Sequence, residues 1–279
     1  MTTKPPVGHP EAIVRPNMTE QRFTVERLAP REFLAEFVDY YWLVRWNLPE
    51  PHRQQVVPQP RVHVAAEGGR LLVHGVTQKP FFRTLDGSGH VLGAAFHPGG
   101  FRPLLRTSVG SISGSVQPAA GLLGVDDPPV AARILGGHDS AEMVEALEEY
   151  LVGIGPKPDP TGRRVTELVA EAERRTEITR AEVLAVEAGM SLRSLQRLFA
   201  EYVGVGPKWV IQRFRILDAI AAAHSGEVTD WAELARELGF SDQAHLTRVF
   251  TQVVGTPPAS YRREIGLSWP PLGSKPSSA

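Results

Sequence analysis

Two short stretches of this chain carry side chains able to read the edges of base pairs. The first holds Arg193, Ser194, Gln196 and Arg197; the second holds Ser241, Gln243, Ala244, His245, Thr247 and Arg248. Arginine can bond guanine O6 and N7 together, glutamine can do the same at adenine N6 and N7, and a small methyl can touch the thymine methyl. This chemistry requires the side chains to project from one face of a rigid helix, close to its start. The surrounding sequence must therefore supply two such helices.

It does so through an internal repeat. Leu184-Ala185, Gly189 and Ser191 recur as Leu234-Ala235, Gly239 and Ser241. After one added residue, Leu195, Arg197, Phe199, Gly204 and Pro207 recur as Leu246, Arg248, Phe250, Gly255 and Pro258. Each copy reads as a helix, a tight turn and a second helix, with a glycine at the turn where positive φ is needed. Ser191 and Ser241 are expected to N-cap the second helices. The inward stripes are Leu195, Leu198, Phe199 and Tyr202 in one copy and Leu246, Val249, Phe250 and Val253 in the other. Thr179 with Glu182 reads as a capping box opening the first helix. Pro207 starts a connecting helix, with Val210, Phe214, Leu217 and Ile220 at helical spacing. A rigid connector sets the two reading faces about one DNA turn, roughly 34 Å, apart. Arg213, Arg215, Arg262 and Arg263 are expected to hold phosphates and fix register.

Residues from about 162 to 264 resemble the DNA-binding domain of the AraC/XylS family of transcription regulators. The resemblance rests on Gly189-Met190-Ser191-Leu192-Arg193-Ser194-Leu195-Gln196-Arg197-Leu198-Phe199 in the first unit. In the second it rests on Gly239-Phe240-Ser241-Asp242-Gln243-Ala244-His245-Leu246-Thr247-Arg248-Val249-Phe250, then Gly255-Thr256-Pro257-Pro258 and Tyr261-Arg262. It implies an amino-terminal domain that binds an effector or dimerises. Tyr41-Trp42 and Phe96-His97-Pro98-Gly99-Gly100-Phe101 resemble, more weakly, the amino-terminal domains of a less characterised subset. The copies are not equivalent. Arg193 and Gln196 stand where the second unit has Ala244 and Thr247, so the first unit is expected to be the stronger direct reader.

The composition narrows the alternatives. The chain has 279 residues, a net charge of −1 and no cysteine. Disulfides, thiolate metal sites and cysteine nucleophiles are excluded, and with them alkyl-transfer DNA repair through an acceptor cysteine. Between Ile178 and Glu264 there are ten Lys/Arg and ten Asp/Glu, so non-specific affinity for DNA is expected to be modest at physiological salt. No apolar run approaches the roughly 18 residues that span a bilayer. With no signal-peptide pattern either, a cytoplasmic location is expected.

Short apolar runs at Arg61–Ala65, Leu71–Val76 and His90–Phe96, separated by Gly- and Pro-containing turns, predict an antiparallel sheet. Phe33, Leu34, Phe37, Val38 and the cluster Tyr40, Tyr41, Trp42 read as a short helix. Met143, Val144, Leu147 and Leu151 predict another, ended by the proline-rich stretch from Gly153 to Pro160. The expected fold is α+β: a strand-rich amino-terminal domain, sandwich- or cupin-like barrel, then an all-α domain of two helix-turn-helix units. Its boundaries are a disordered tail at 1–20, an effector-binding or dimerisation domain at 21–152 and a linker at 153–161. The tandem helix-turn-helix domain at 162–265 and a disordered tail at 266–279 complete the chain. His52, His63, His74, His90 and His97 raise the alternative of a cupin-like metal enzyme, but no His-x-His or His-x-x-x-His occurs and only Glu67 lies near one. The expected partner is double-stranded promoter DNA. A small-molecule effector, RNA polymerase and a second copy of the chain are further candidates; no membrane, cofactor, metal or catalytic residue is expected.

Overall fold

A computed structural model describes residues 23–124, 126–225, 228 and 230–266. The expected tail at 1–20, and that at 266–279 beyond Gly266, lie outside the described residues. Alternation of apolar and polar side chains builds the first half. Strands β1 (Phe23–Leu28), β2 (Val38–Asn47), β4 (His63–Glu67), β5 (Arg70–His74), β7 (Ser88–Phe96) and β8 (Val116–Pro118) form an antiparallel sheet in the order β1-β2-β7-β4-β5-β8. A second sheet pairs β3 (His52–Val56) with β6 (Phe81–Leu85). On β4, Val64 and Ala66 enter the main core while His63, Ala65 and Glu67 point to the opposite face, as a period of two dictates. Arg83 of β6 reaches the Glu67 carboxylate of β4, so the two sheets face each other.

The segment expected to be a helix at Phe33–Trp42 is instead a hydrogen-bonded turn followed by β2. Leu34 N–H bonds the Arg31 carbonyl at 2.9 Å and Val38 N–H bonds Leu34 at 2.8 Å, but the chain then extends. The bulky Tyr40, Tyr41 and Trp42 suit a pleated surface, and Trp42 lies so close over Gly93 of β7 that a Cβ there would collide with the indole. Helices α1 (Ala119–Leu123), α2 (Asp127–Leu135) and α3 (Ser140–Ile154) close this half. The predicted face of α3 holds: Met143, Leu147 and Leu151 are fully buried.

The connector between α3 and α4 (Pro160–Arg174) is residues 155–159, ended by Asp159, whose side chain accepts from Thr161 N–H at 2.9 Å. The helical half continues with α5 (Ala181–Glu187), α6 (Leu192–Tyr202), α7 (Pro207–Ser225), α8 (Trp231–Glu237), α9 (Gln243–Val254) and α10 (Pro258–Gly266). One continuous cluster of buried apolar side chains runs through both halves, from Leu34 and Tyr41 to Phe250 and Ile265. Where the halves meet, Gly99 lies against the Gly162 carbonyl so closely that a side chain on it would collide.

Candidate nucleic-acid interface

The sequence repeat is a repeat of geometry. After α5, Gly189 N–H bonds the Val186 carbonyl and Met190 N–H bonds Ala185, both at 3.0 Å. After α8, Gly239 N–H bonds Arg236 at 3.1 Å and Phe240 N–H bonds Ala235 at 2.8 Å. Both are the double closure that ends a helix on a left-handed residue, and the glycines sit at φ +68° and +74°. The second helix of each unit starts three residues after the glycine for α6 and four after it for α9. In α6, Leu195 and Phe199 are buried as predicted, while Leu198 and Tyr202 are half-buried; in α9, Leu246, Phe250 and Val253 are buried and Val249 is half-buried.

The cap assignments divide. Ser191 caps α6, its hydroxyl accepting from Ser194 N–H at 3.1 Å. Ser241 does not cap α9. Asp242 does, accepting from His245 N–H at 2.7 Å, because a carboxylate one residue closer to the helix is the stronger acceptor for the exposed N–H groups. Those bonds hold the Asp242 carboxyl below its usual range. The Thr179–Glu182 capping box is absent: Arg180 is the residue before α5 and gives no side-chain cap. Thr179 packs instead on Gly239, so the start of the first unit rests on the turn of the second.

The candidate reading residues lie on the outer faces of α6 and α9. Arg193, Gln196 and Arg197 are exposed on α6, and Gln243, Ala244 and Arg248 are exposed on α9. The side chains of Arg193, Gln196, Arg197, Gln243 and Arg248 have no partner among the described residues. The other candidates are engaged. Ser194 Oγ pairs with Ser191 Oγ at 2.9 Å, Ser241 Oγ lies 3.2 Å from His245 Nδ1, and the His245 ring sits edge-on to Phe240. Thr247 is half-buried. Free cationic and amide groups thus concentrate on α6, three against two.

The arginines expected on phosphates fare differently. Arg215 is 1% exposed, donates to the Ala172 and Glu173 carbonyls at the end of α4 and pairs with Asp218 at 2.9 Å. Arg213 is 4% exposed against the Trp209 ring and the Gln78 carbonyl. Both lie on the inner side of α7, where burial overrides the sequence proximity that suggested DNA. Arg262 donates to the Val228 carbonyl, and Arg263 bonds back to Ala259 and Ser260 within α10.

The histidines are committed to the fold. His63 Nδ1 accepts from the Trp42 indole at 3.1 Å, and His74 Nε2 donates to Glu67 at 3.1 Å. His52 bonds Gln54 at 3.2 Å, His90 donates to the Leu135 carbonyl at 3.0 Å and His97 to the Ala35 carbonyl at 3.2 Å. Among the described residues no group of three His, Cys, Asp or Glu is placed to hold a metal ion. No helix among them is long and apolar enough to cross a membrane.

Comparison with known proteins places these features. The profile of a helix-turn-helix domain family matches residues 184–264, and that of a domain of unknown function, DUF6597, matches residues 26–118. The protein named "Probable transcription factor PqrA" of Proteus vulgaris is 29% identical over 89 residues, covering 32% of this chain and 72% of the relative. A transcriptional regulator with an AraC-type DNA-binding domain from Chromobacterium violaceum has a solved structure 23% identical, with a TM-score of 0.33, over 37% of this chain and 91% of its own. ToxT from Vibrio cholerae is 12% identical, with a TM-score of 0.39, over 87% of this chain and 98% of its own. Residues 184–264 thus match a helix-turn-helix domain family, and they are the residues that hold the two repeated turns.

Proposed function

We propose that the protein binds promoter DNA sequence-specifically by placing α6 and α9 in successive major grooves. The observation that carries this is the set of exposed, unpartnered reading groups within the first six residues of two helices presented by the same turn geometry: Arg193, Gln196 and Arg197 on α6, Gln243 and Arg248 on α9. Ser194, Ser241, Ala244, His245 and Thr247 complete the two faces with hydroxyl, imidazole and methyl contacts. α7 joins the units as a 19-residue helix, about 28 Å long at 1.5 Å per residue, a length compatible with one turn of duplex between reading faces. The chain acts by binding rather than catalysis. Its strand-rich half, over about 21–152, modulates that binding through a small molecule or a second copy of the chain, and the bound regulator meets RNA polymerase at the promoter.

Selection of bound sequences from random duplexes by the full chain tests the reading, followed by affinity measurements with Arg197→Ala and Arg248→Ala. A preferred sequence should emerge, and each change should weaken it by about 1–3 kcal/mol and relax one position. No preferred sequence, or two silent substitutions, would overturn it.

A further inference from the structure

The repeat places a glycine at the end of each reading helix, Gly204 two residues past α6 and Gly255 directly after α9, both in the left-handed region at φ +87° and +88°. Gly204 is seated on the strand-rich half, and the residues just before Gly255 are bonded to it. Ser113 Oγ–H donates to the Gly204 carbonyl at 2.6 Å, and any side chain at Gly204 would collide with that hydroxyl. Beside it, Arg102 Nε–H donates to Glu201 at 2.6 Å, and Gly110 lies where a Cβ would come within 2.9 Å of the Ala200 carbonyl. At the other unit, Gln55 Nε2–H of β3 donates to the Val253 carbonyl at 2.8 Å in a buried bond. A Cβ on Gly255 would stand 4.0 Å from the same amide's oxygen.

The last carbonyls of a helix have no partner within it, so an outside donor there fixes the helix end. Here both outside donors belong to one half of the molecule, and neither covers the exposed residues at the helix starts. The geometry points to Ser113 and Gln55 as positioning residues: the strand-rich half braces the turn just past α6 and the last turn of α9, and so sets the distance and angle between the two reading faces. This rests on the DNA-binding reading above. A braced pair engages its second half-site without first having to find the right orientation, which raises the effective concentration of the second contact.

Two measurements on the full chain test the brace, using the selected operator, the same operator with one half-site scrambled, and the operator with one base pair inserted between half-sites. Inserting a base pair turns one half-site by roughly 34° about the duplex relative to the other. The wild-type chain should lose about tenfold or more on insertion; tolerance of the insertion would overturn the brace with no variant involved. Gln55→Glu with Ser113→Ala removes both donors at nearly constant volume. It should bind the intact operator about tenfold more weakly while binding the half-scrambled operator within about twofold of wild type. Equal losses on both operators, or tighter binding to the intact one, would overturn the proposal. A wild-type chain that selects no sequence at all would instead sink the DNA-binding reading itself. A thermal melt of the variant confirms that the protein compared is folded.

Discussion

The indole of Trp42 on β2 donates to Nδ1 of His63 on β4 at 3.1 Å, passing over β7 on one face of the sheet, which fixes His63 as the neutral tautomer protonated on Nε2. Burial, and then the charges that His74 and Arg61 would present, push the His63 imidazole down to about 3. The folded ring refuses a proton that the unfolded ring accepts at its ordinary value of about 6.5. Stability from this group is complete above about pH 6.5 and is lost as pH falls toward 3, at about 1.4 kcal/mol per pH unit. His97, also held low by burial, adds in the same sense. His63→Gln keeps an acceptor for Trp42 and should flatten the stability curve in that window. Denaturant unfolding at several pH values checks this; identical slopes in wild type and variant would remove His63 as the cause.

The two turn glycines separate backbone cost from packing cost. Gly189 and Gly239 share a left-handed φ, but around Gly189 there is open space while Gly239 touches Thr179. Gly189→Ala should cost about 1 kcal/mol, the left-handed penalty alone. Gly239→Ala should cost about 3 kcal/mol, since Thr179 must also move. Equal melting shifts for the pair would contradict the Thr179 contact.

Arg213 is a cation inside the seam between the halves, meeting the Gln78 carbonyl at 3.4 Å and the Trp209 ring at 4.7 Å, and desolvation lowers it to about 10. A buried charge without a carboxylate is commonly replaced by an apolar side chain at no loss. Arg213→Met should leave stability unchanged or raise it by about 1 kcal/mol, with DNA affinity and its salt dependence unaltered. A shallower salt dependence in the variant would restore Arg213 as a phosphate contact.

The two reading helices should contribute unequally. Alanine at Arg193, Gln196 and Arg197 is expected to relax specificity at more positions than alanine at Gln243, Thr247 and Arg248. Binding profiles against all single base changes in the operator decide it, and equal losses would show that methyl and hydroxyl contacts on α9 count as much as the groups on α6.

The helical half was legible because a buried stripe every three to four residues and a glycine at each turn leave few alternatives. What proximity in sequence hid there was which face of α7 carries Arg213 and Arg215; both sit between core residues and are drawn inward. At α9, Ser241 and Asp242 are adjacent candidates for one cap, and only the helix start chooses between them. In the strand-rich half, β4, β5 and β7 show their apolar runs, whereas β3 reads His52-Arg53-Gln54-Gln55 and carries no such signal. Of its buried amides, Gln54 bonds the adjacent Gln55 carbonyl, while Gln55 reaches the Val253 carbonyl, 198 residues away. The spacing of Phe33, Leu34, Phe37 and Val38 fits a helix as well as a turn, and the aromatic residues after it belong to β2.

The shared apolar cluster bears on how such a protein can be divided. Leu34, Phe101 and Val109 are in the same continuous interior as Leu195, Phe199 and Phe250, so cutting at the connector would leave two oily wounds rather than two clean modules. A chimera that borrows one half from a relative inherits a mismatched seam unless Gly99, Gly110, Ser113 and Gln55 travel with the helices they were fitted to. The unit that exchanges freely is therefore the whole chain, and the helical third is separable in sequence more readily than in substance.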